Sequence, residues 1–471
     1  MVATGSLLTE PAELRTYDCD GLTNFRQVPA AVVLPESASA VQRIVALCHQ
    51  HRVPFVARGS GTGLSGGALP AEGGIVISLA RLNRILEVDF ANARVVVEPG
   101  VINSHVTARV APYGYFYAPD PSSQSVCTIG GNVAENSGGA HCLKYGFTTT
   151  HVLAMDVVLP DGSMIHVGSL TGDAPGYDLC GMFVGSEGTL GIATRIVLRI
   201  VRRPQTVRTM LAAFDSTDHA GQAVSDIIAA GIVPAAAEMM DRLSIAAAEA
   251  AVHAGYPQCD GLLLIELDGT AEEVDWLTRH VSEICKTCGA WEIRIAHSDA
   301  ERAAIWKGRK SAFAAVGRIS PNYIVQDGVI PRTALPRVLR EIQQLSAATG
   351  LRVANVFHAG DGNLHPLVLY DRRIEGQEQR AEELAGEILR ICVRAGGSIT
   401  GEHGVGIEKR EYMAEMFAEP DLATMQRVRI AFDPLGLSNP GKVFPRPRLC
   451  AERQGKHEPH PIEVAGLAEY F

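Results

Sequence analysis

The chain has 471 residues, 46% hydrophobic and 20% charged, with a formal net charge of −10. This length predicts two or three domains with cores of their own, and an acidic balance without any block of lysine or arginine excludes a nucleic-acid ligand. The start, MVATGSLLTEPAEL, lacks a secretory signal, and no run of about 18 apolar residues occurs. A cytoplasmic protein without a membrane span is expected, membrane-associated only through partners.

From Pro29 the pattern reads strand, helix, strand: AAVVLP, then SASAVQRIVALCHQH with apolar residues at helical spacing behind a serine cap, then VPFVARG. The next segments, GIVISLA, RILEVDF, RVVVEPGV, HVLAMDVVLPDGSMIHVG and GIATRIVLRIV, read as strands, with a hairpin turn at Asp161-Gly162. A boundary is expected at RRPQT, Arg202 to Thr206. Beyond it STDHAGQAVSDIIAA, DRLSIAAAEAAVHAG, TAEEVDWLTRHVSEICKTCG, RTALPRVLREIQQLSAATG and GQEQRAEELAGEILRICVRAGG read as helices. They alternate with the strands GLLLIELDG, NYIVQDGVI and LRVANVFH, the pattern of an α+β domain on an antiparallel sheet. From Arg446 the sequence is polar and irregular, a loose tail. The ten cysteines are scattered, and the lone pair Cys285 and Cys288 has no second pair to complete a metal or cluster site, so free structural thiols are expected.

Three glycine-rich segments share the first half. RGSGTGLSGGALP contains GxGxxG at Gly61, Gly63 and Gly66, but no helix fits before the following strand IVISL, which excludes a dinucleotide-fold fingerprint. Successive glycines can still form a nest of backbone N–H groups for phosphate oxygens. The long segment APDPSSQSVCTIGGNVAENSGGAHCLKYG reads as a functional loop, and FVGSEGTLGIAT repeats its style. Together they point to one large polar ligand threaded between them.

These three segments resemble the FAD-binding domain of the vanillyl-alcohol oxidase type. The later HAGDGNLHP, GEHGVG and NPGK resemble the cap of its 2-hydroxy-acid dehydrogenase branch, which takes in the FAD subunit of bacterial glycolate oxidase and the D-lactate and D-2-hydroxyglutarate dehydrogenases. The resemblance runs from about Ala30 to Pro445. It implies an α+β fold: a two-lobed FAD-binding domain over residues 1–204, an α+β cap on an antiparallel sheet over 205–435, and a return to the flavin followed by the tail over 436–471. It implies that Arg58, Gly59, Ser60, Gly61, Thr62 and Gly63 wrap the FAD pyrophosphate, and that Pro119, Asp120, Thr128, Gly131, Asn132, Glu135 and Asn136 line the flavin and ribityl chain. Glu187, Gly188 and Ile192 would meet the adenine half, and Asn439 would return toward the isoalloxazine. Without a histidine in the first glycine loop, the FAD is expected to be non-covalent.

HAGDGNLHP flanks the turn signal Asp361-Gly362 with two histidines, so His358 and His365 are expected to face each other across a hairpin, close enough to share a metal. GGSITGEHGVG adds Glu402 and His403. Two histidines and a carboxylate leave coordination positions open, as a catalytic site requires. By the resemblance His358, His365 and Glu402 hold a divalent ion, zinc or manganese, His403 is the general base, and Arg309 in WKGRKSAFAAVGRIS grips the substrate carboxylate. The implied reaction oxidises a small anionic 2-hydroxy acid, glycolate before D-lactate or D-2-hydroxyglutarate, with hydride passing to flavin N5. The implied partners are other subunits of a glycolate oxidase complex, an iron-sulfur subunit among them, or a quinone. Leu367, beside His365, would be an apolar contact favouring a small acid. The rival reading is a non-catalytic flavin-binding subunit of such a complex.

Overall fold

The computed structural model describes residues 5–171 and 175–446, so nearly all of the expected tail lies outside the described residues. The first lobe holds two main sheets and a two-stranded pair, Tyr115–Phe116 with Val201–Arg202. In one, the strands Leu7–Leu8, Ala31–Val33, Ile75–Ser78 and Phe55–Arg58 stand in that order, the last three parallel. The helix Ala38–His51 crosses between the two outer strands of that parallel set. It begins where Ser37 Oγ accepts the Ala40 N–H at 3.2 Å, and its buried stripe of Val41, Val45 and Cys48 packs on Phe55 and Ile77. The other sheet is antiparallel, in the order Ile85–Asp89, Arg94–Val97, Ile192–Arg199, Val152–Val158 and Met164–Gly168.

The second glycine segment is not all loop. It contains the helix Ile129–Glu135, opened by Thr128, whose hydroxyl accepts the Gly131 N–H at 3.3 Å. Seven residues are too few for a 3.6-residue apolar period to show against so many small side chains. The helix Glu419–Phe432 likewise forms without a clear apolar stripe in its sequence.

The second lobe is built on a seven-stranded antiparallel sheet. Its order is Glu292–Ile295, Thr206–Phe214, Gly261–Gly269, Ala236–Asp241, Val353–His358, Pro366–Tyr370 and Asn322–Val325. Alternation along each strand sends neighbouring side chains to opposite faces. Met210, Ala212, Phe214, Leu263, Ile265, Phe357 and Val368 pack beneath the helices Thr217–Ala229, Ala271–Thr287, Leu335–Thr349 and Gln377–Arg394. Leu211, Ala213, Leu262, Leu264, Met240, Val356 and Leu367 form a core on the other face with the helices Arg242–Val252 and Asp299–Val316. By the same alternation Glu238, Glu266, His358 and His365 stand on this second face, the one turned toward the first lobe.

His358 and His365 are not directly paired. The ladder Val353↔Val368, Ala354↔Leu367 and Asn355↔Pro366 continues to a bridge between His358 and Asn363, with Ala359 to Gly362 as the turn. His365 therefore lies diagonal to His358 on one face, and their rings meet at 5.2 Å, nearly perpendicular. The turn is longer than Asp-Gly alone suggested because Asp361 and Gly362 both donate their N–H to the His358 carbonyl. Among the described residues no helix is long and apolar enough to cross a membrane.

Candidate active site

A cavity of about 610 Å³ opens between the lobes, within the range of roughly 300–1,000 Å³ common for cofactor and ligand sites. The first loop, Arg58 to Gly63, lines it. So do Thr128, Gly131, Asn132 and Glu135, with Glu187, Gly188 and Ile192, and so do His365, Glu402 and His403. Residues distant in sequence by more than 300 positions thus share one enclosed space.

The lining fits a long, anionic, hydrogen-bonding cofactor. Arg58 Nη1, Asn132 Nδ2 and Glu135 Oε2 are buried without a hydrogen-bond partner, and groups of this kind are costly unless a ligand satisfies them. Gly61 sits at φ +69°, where a side chain would be strained. A Cβ there would also fall 2.2 Å from Arg58 Nη2. Burial, followed by repulsion from Glu187, pushes the Glu135 carboxyl well above its usual range.

Five of the expected residues are placed elsewhere, with structural tasks of their own. Pro119 accepts the Asn103 amide at 3.1 Å, and Asp120 Oδ2 bonds His141 Nδ1 at 2.8 Å. Asn136 caps its helix at φ +54° and accepts the Thr149 N–H at 2.9 Å. Asn439 braces two glycine segments, donating to Gly67 O at 2.9 Å and Glu187 O at 2.7 Å. Arg309 lies behind Phe313, while its neighbour Lys310 reaches the cavity wall. Leu367 is wholly buried in the core and gives no account of substrate size.

Among the histidines, His358 Nδ1 meets Glu238 Oε1 at 2.7 Å. An ionised carboxylate only accepts, so this ring carries a proton on Nδ1, and its Nε2 faces Glu402 Oε1 at 3.3 Å. Burial disfavours charge on this imidazole, but Glu238 and then Glu402 raise its pKa well above the ordinary value, so with no metal bound Nε2 is protonated too. His365 Nε2 approaches the same oxygen at 3.0 Å, its Nδ1 lying 3.4 Å from the Gln326 carbonyl. Two ring nitrogens converging on one carboxylate oxygen need a cation between them, protons or a metal ion, and the N,N,O set suits zinc or manganese. Glu238 behind His358 is the supporting carboxylate such a ligand characteristically has. Burial would raise the Glu402 pKa, but the imidazoles of His358 and His365 override it and hold the group well below the usual range.

His403 stacks on His365 with centroids 5.1 Å apart and planes 12° apart. Burial, only partly offset by Asp327, pulls its imidazole down to about 4, leaving it neutral and able to accept a proton. Asp327, Glu402, His365 and His403 also offer ligand atoms within 4.8 Å of one another. Asp327 is instead saturated by neighbours: its carboxylate accepts the N–H groups of Gly401, Glu402 and His403 and the Lys409 ammonium. Sequence reasoning missed Asp327, because Asp327-Gly328 reads as a turn, and Glu238, which no local motif marks. Arg309 Nη2 lies 2.6 Å from Glu238 Oε2. Neither its Nε nor its Nη2 finds hydrogen-bond geometry among the described residues.

Fold and cavity together define a flavoprotein built on the vanillyl-alcohol oxidase plan. Residues 203–443 match the C-terminal domain of FAD linked oxidases and residues 29–168 match a FAD binding domain; the chain belongs to the FAD-linked oxidase family, and its cofactor is FAD. It is 50% identical over 455 residues to glycolate oxidase subunit GlcD of Escherichia coli (strain K12), covering 96% of this chain and 91% of that protein. Identity to glycolate oxidase subunit GlcD of Bacillus subtilis (strain 168) is 40%, covering 93% and 94%. To a D-lactate dehydrogenase of Anaerostipes hadrus it is 31%, covering 88% and 89%. Among solved structures, 4-ethylphenol oxidase from Gulosibacter chungangensis superposes with TM-score 0.78 at 19% identity, covering 93% and 94%. p-Cresol methylhydroxylase superposes with TM-score 0.77 at 17% identity, covering 93% of each chain. These last two speak for the fold alone.

Proposed function

We propose that the chain is a FAD-dependent 2-hydroxy-acid dehydrogenase whose substrate is glycolate. The observation that carries this reading is the single cavity joining the glycine loops to His365, Glu402 and His403. The GlcD relatives favour glycolate over D-lactate or D-2-hydroxyglutarate.

In this reading Lys310 supplies the positive charge for the substrate carboxylate at the cavity wall, while Arg309, outside the lining, pairs with Glu238 behind His358. His358, His365 and Glu402 hold a divalent ion, which when bound supplies a Lewis acid for the substrate hydroxyl. Neutral His403 accepts the hydroxyl proton as the alcohol carbon becomes a carbonyl, an aldehyde where the substrate is glycolate. FAD, when bound, would supply the two-electron acceptor for the hydride that leaves C2. The flavin is held without a covalent bond: the loop Arg58 to Gly63 offers no histidine, and Ser60 Oγ is engaged with the Val126 carbonyl at 2.6 Å.

Electrons then leave to other subunits of a glycolate oxidase complex, through an iron-sulfur partner or a quinone. The chain's own Cys285 is buried in the core and Cys288 bonds Asp226 at 3.3 Å, so neither serves a cluster. The same reading puts the protein in the cytoplasm and the flavin lobe's end near residue 204.

The test is anaerobic bleaching of the flavin by a panel of 2-hydroxy acids. His403→Ala is expected to keep FAD and lose about 10²–10⁴-fold in the rate of bleaching by glycolate. Unchanged bleaching would remove His403 from the base role, and none with any 2-hydroxy acid in the wild type would favour a non-catalytic subunit.

A further inference from the structure

The loop Thr400 to Gly406, which carries Glu402 and His403, is gripped from both lobes. From the cap, Asp327 is fully buried, and its Oδ2 accepts the N–H groups of Gly401 at 3.0 Å, Glu402 at 3.2 Å and His403 at 2.9 Å. The same oxygen accepts the Thr400 hydroxyl at 2.6 Å. From the flavin lobe, Glu187 accepts the Val405 N–H on Oε1 and the Gly406 N–H on Oε2, each at 2.7 Å. Glu187 does so from φ +53°, a left-handed conformation that a non-glycine residue adopts rarely. Asn439 fixes that conformation by donating to the Glu187 carbonyl.

Between the two grips lies Gly404, at φ +83°, where a Cβ would fall 2.1 Å from Glu135 Oε2. Its carbonyl accepts Thr400 Oγ1 at 3.1 Å and Lys409 Nζ at 3.3 Å. Nothing wider than glycine fits, and every other amide from Gly401 to Gly406 ends on a carboxylate.

We propose that Asp327 and Glu187 are positioning residues that form an inter-lobe clamp, setting His403 against the cavity only while cap and flavin lobe are docked. The proposal rests on the reading of His403 as the base. Charge-assisted bonds to backbone N–H groups are short and directional, so a loop held by three of them on one side and two on the other has little freedom to tilt. Displacement of a catalytic group by about 1 Å can cost about 100-fold in rate while substrate affinity is spared.

The experiment uses the full FAD-loaded chain with D327N and E187Q, both near-isosteric. Hydrogen exchange by mass spectrometry is expected to rise about tenfold at amides 401–403 in D327N and at 405–406 in E187Q. Flavin reduction by glycolate is expected to slow about 10- to 100-fold in each, with KM within about threefold of the wild type. Should D327N fail to fold, E187Q alone decides. Unchanged exchange overturns the clamp, as does raised exchange with an unchanged rate, or a loss expressed wholly in KM or in FAD content. Should wild-type flavin not be reduced by any 2-hydroxy acid, the proposed function fails, while the exchange result still decides the clamp.

Discussion

The junction between the lobes predicts a pH dependence of stability. His141, from the flavin lobe, bonds Asp120 Oδ2 through Nδ1 at 2.8 Å and Glu266 Oε1 of the cap sheet through Nε2 at 3.1 Å, and its ring stacks on Trp306. Burial disfavours its charge, yet Asp120 and Glu266 override burial and raise its pKa from 6.5 to about 10. The folded protein therefore holds this proton more tightly than the unfolded chain. The stabilisation is complete below pH 6.5 and is lost as pH rises through 10. The ceiling is about 5 kcal/mol, lost at up to about 1.4 kcal/mol per pH unit. The side chain keeps 22% of its surface exposed, so about half the ceiling, 2–3 kcal/mol, is expected. Urea unfolding of FAD-saturated wild type and His141→Gln between pH 6 and 10 measures it, other titrating groups cancelling in the difference. Wild type should lose its advantage over the variant across that window; parallel curves would show that the bridge carries no linkage.

Three further outcomes follow from the cavity. Dialysis against a strong chelator should lower glycolate-driven bleaching at least about tenfold and addition of zinc or manganese should restore it; full activity in protein free of metal by elemental analysis would leave His358, His365 and Glu402 sharing a proton instead. Precipitation with acid should release all the flavin to the supernatant, whereas flavin retained on the pellet would mean a covalent link. Gly61→Ala should weaken FAD binding about tenfold, read as the flavin-to-protein ratio, because φ +69° is strained for alanine; an unchanged ratio would clear this loop of close contact with the cofactor.

How much of this was legible depended on where each constraint is written. The glycine loops announce themselves, since an unusual backbone must be encoded by the residue that adopts it, and Gly61 does so locally. The helix Ala38–His51 was equally plain, because burial on one side is a periodic property, and so were the cap strands Gly261–Gly269, Asn322–Val325 and Val353–His358 as apolar runs, whereas Thr206–Phe214, Ala236–Asp241 and Glu292–Ile295 were not read. Register was not: a shift from direct to diagonal pairing of His358 and His365 turns on Ala359 and Gly360 joining the turn, with Asp361 and Gly362 bonded to the His358 carbonyl. Asp327, Glu238 and Glu187 act through partners more than 70 positions away, and nothing near them distinguishes a brace from a surface acid.

The C-terminal strap has a consequence for synthesis of the protein. Leu437 packs into the core of the first parallel sheet, Ser438 bridges Phe55, Asn439 ties Gly67 to Glu187, and Lys442 donates to the Leu69 carbonyl at 2.9 Å. A nascent chain on the ribosome thus carries an unfinished flavin lobe until residues 437–442 emerge. A stop codon before that strap would leave these contacts of the first lobe unmade, although it falls far beyond that lobe's own last strand, Val201–Arg202.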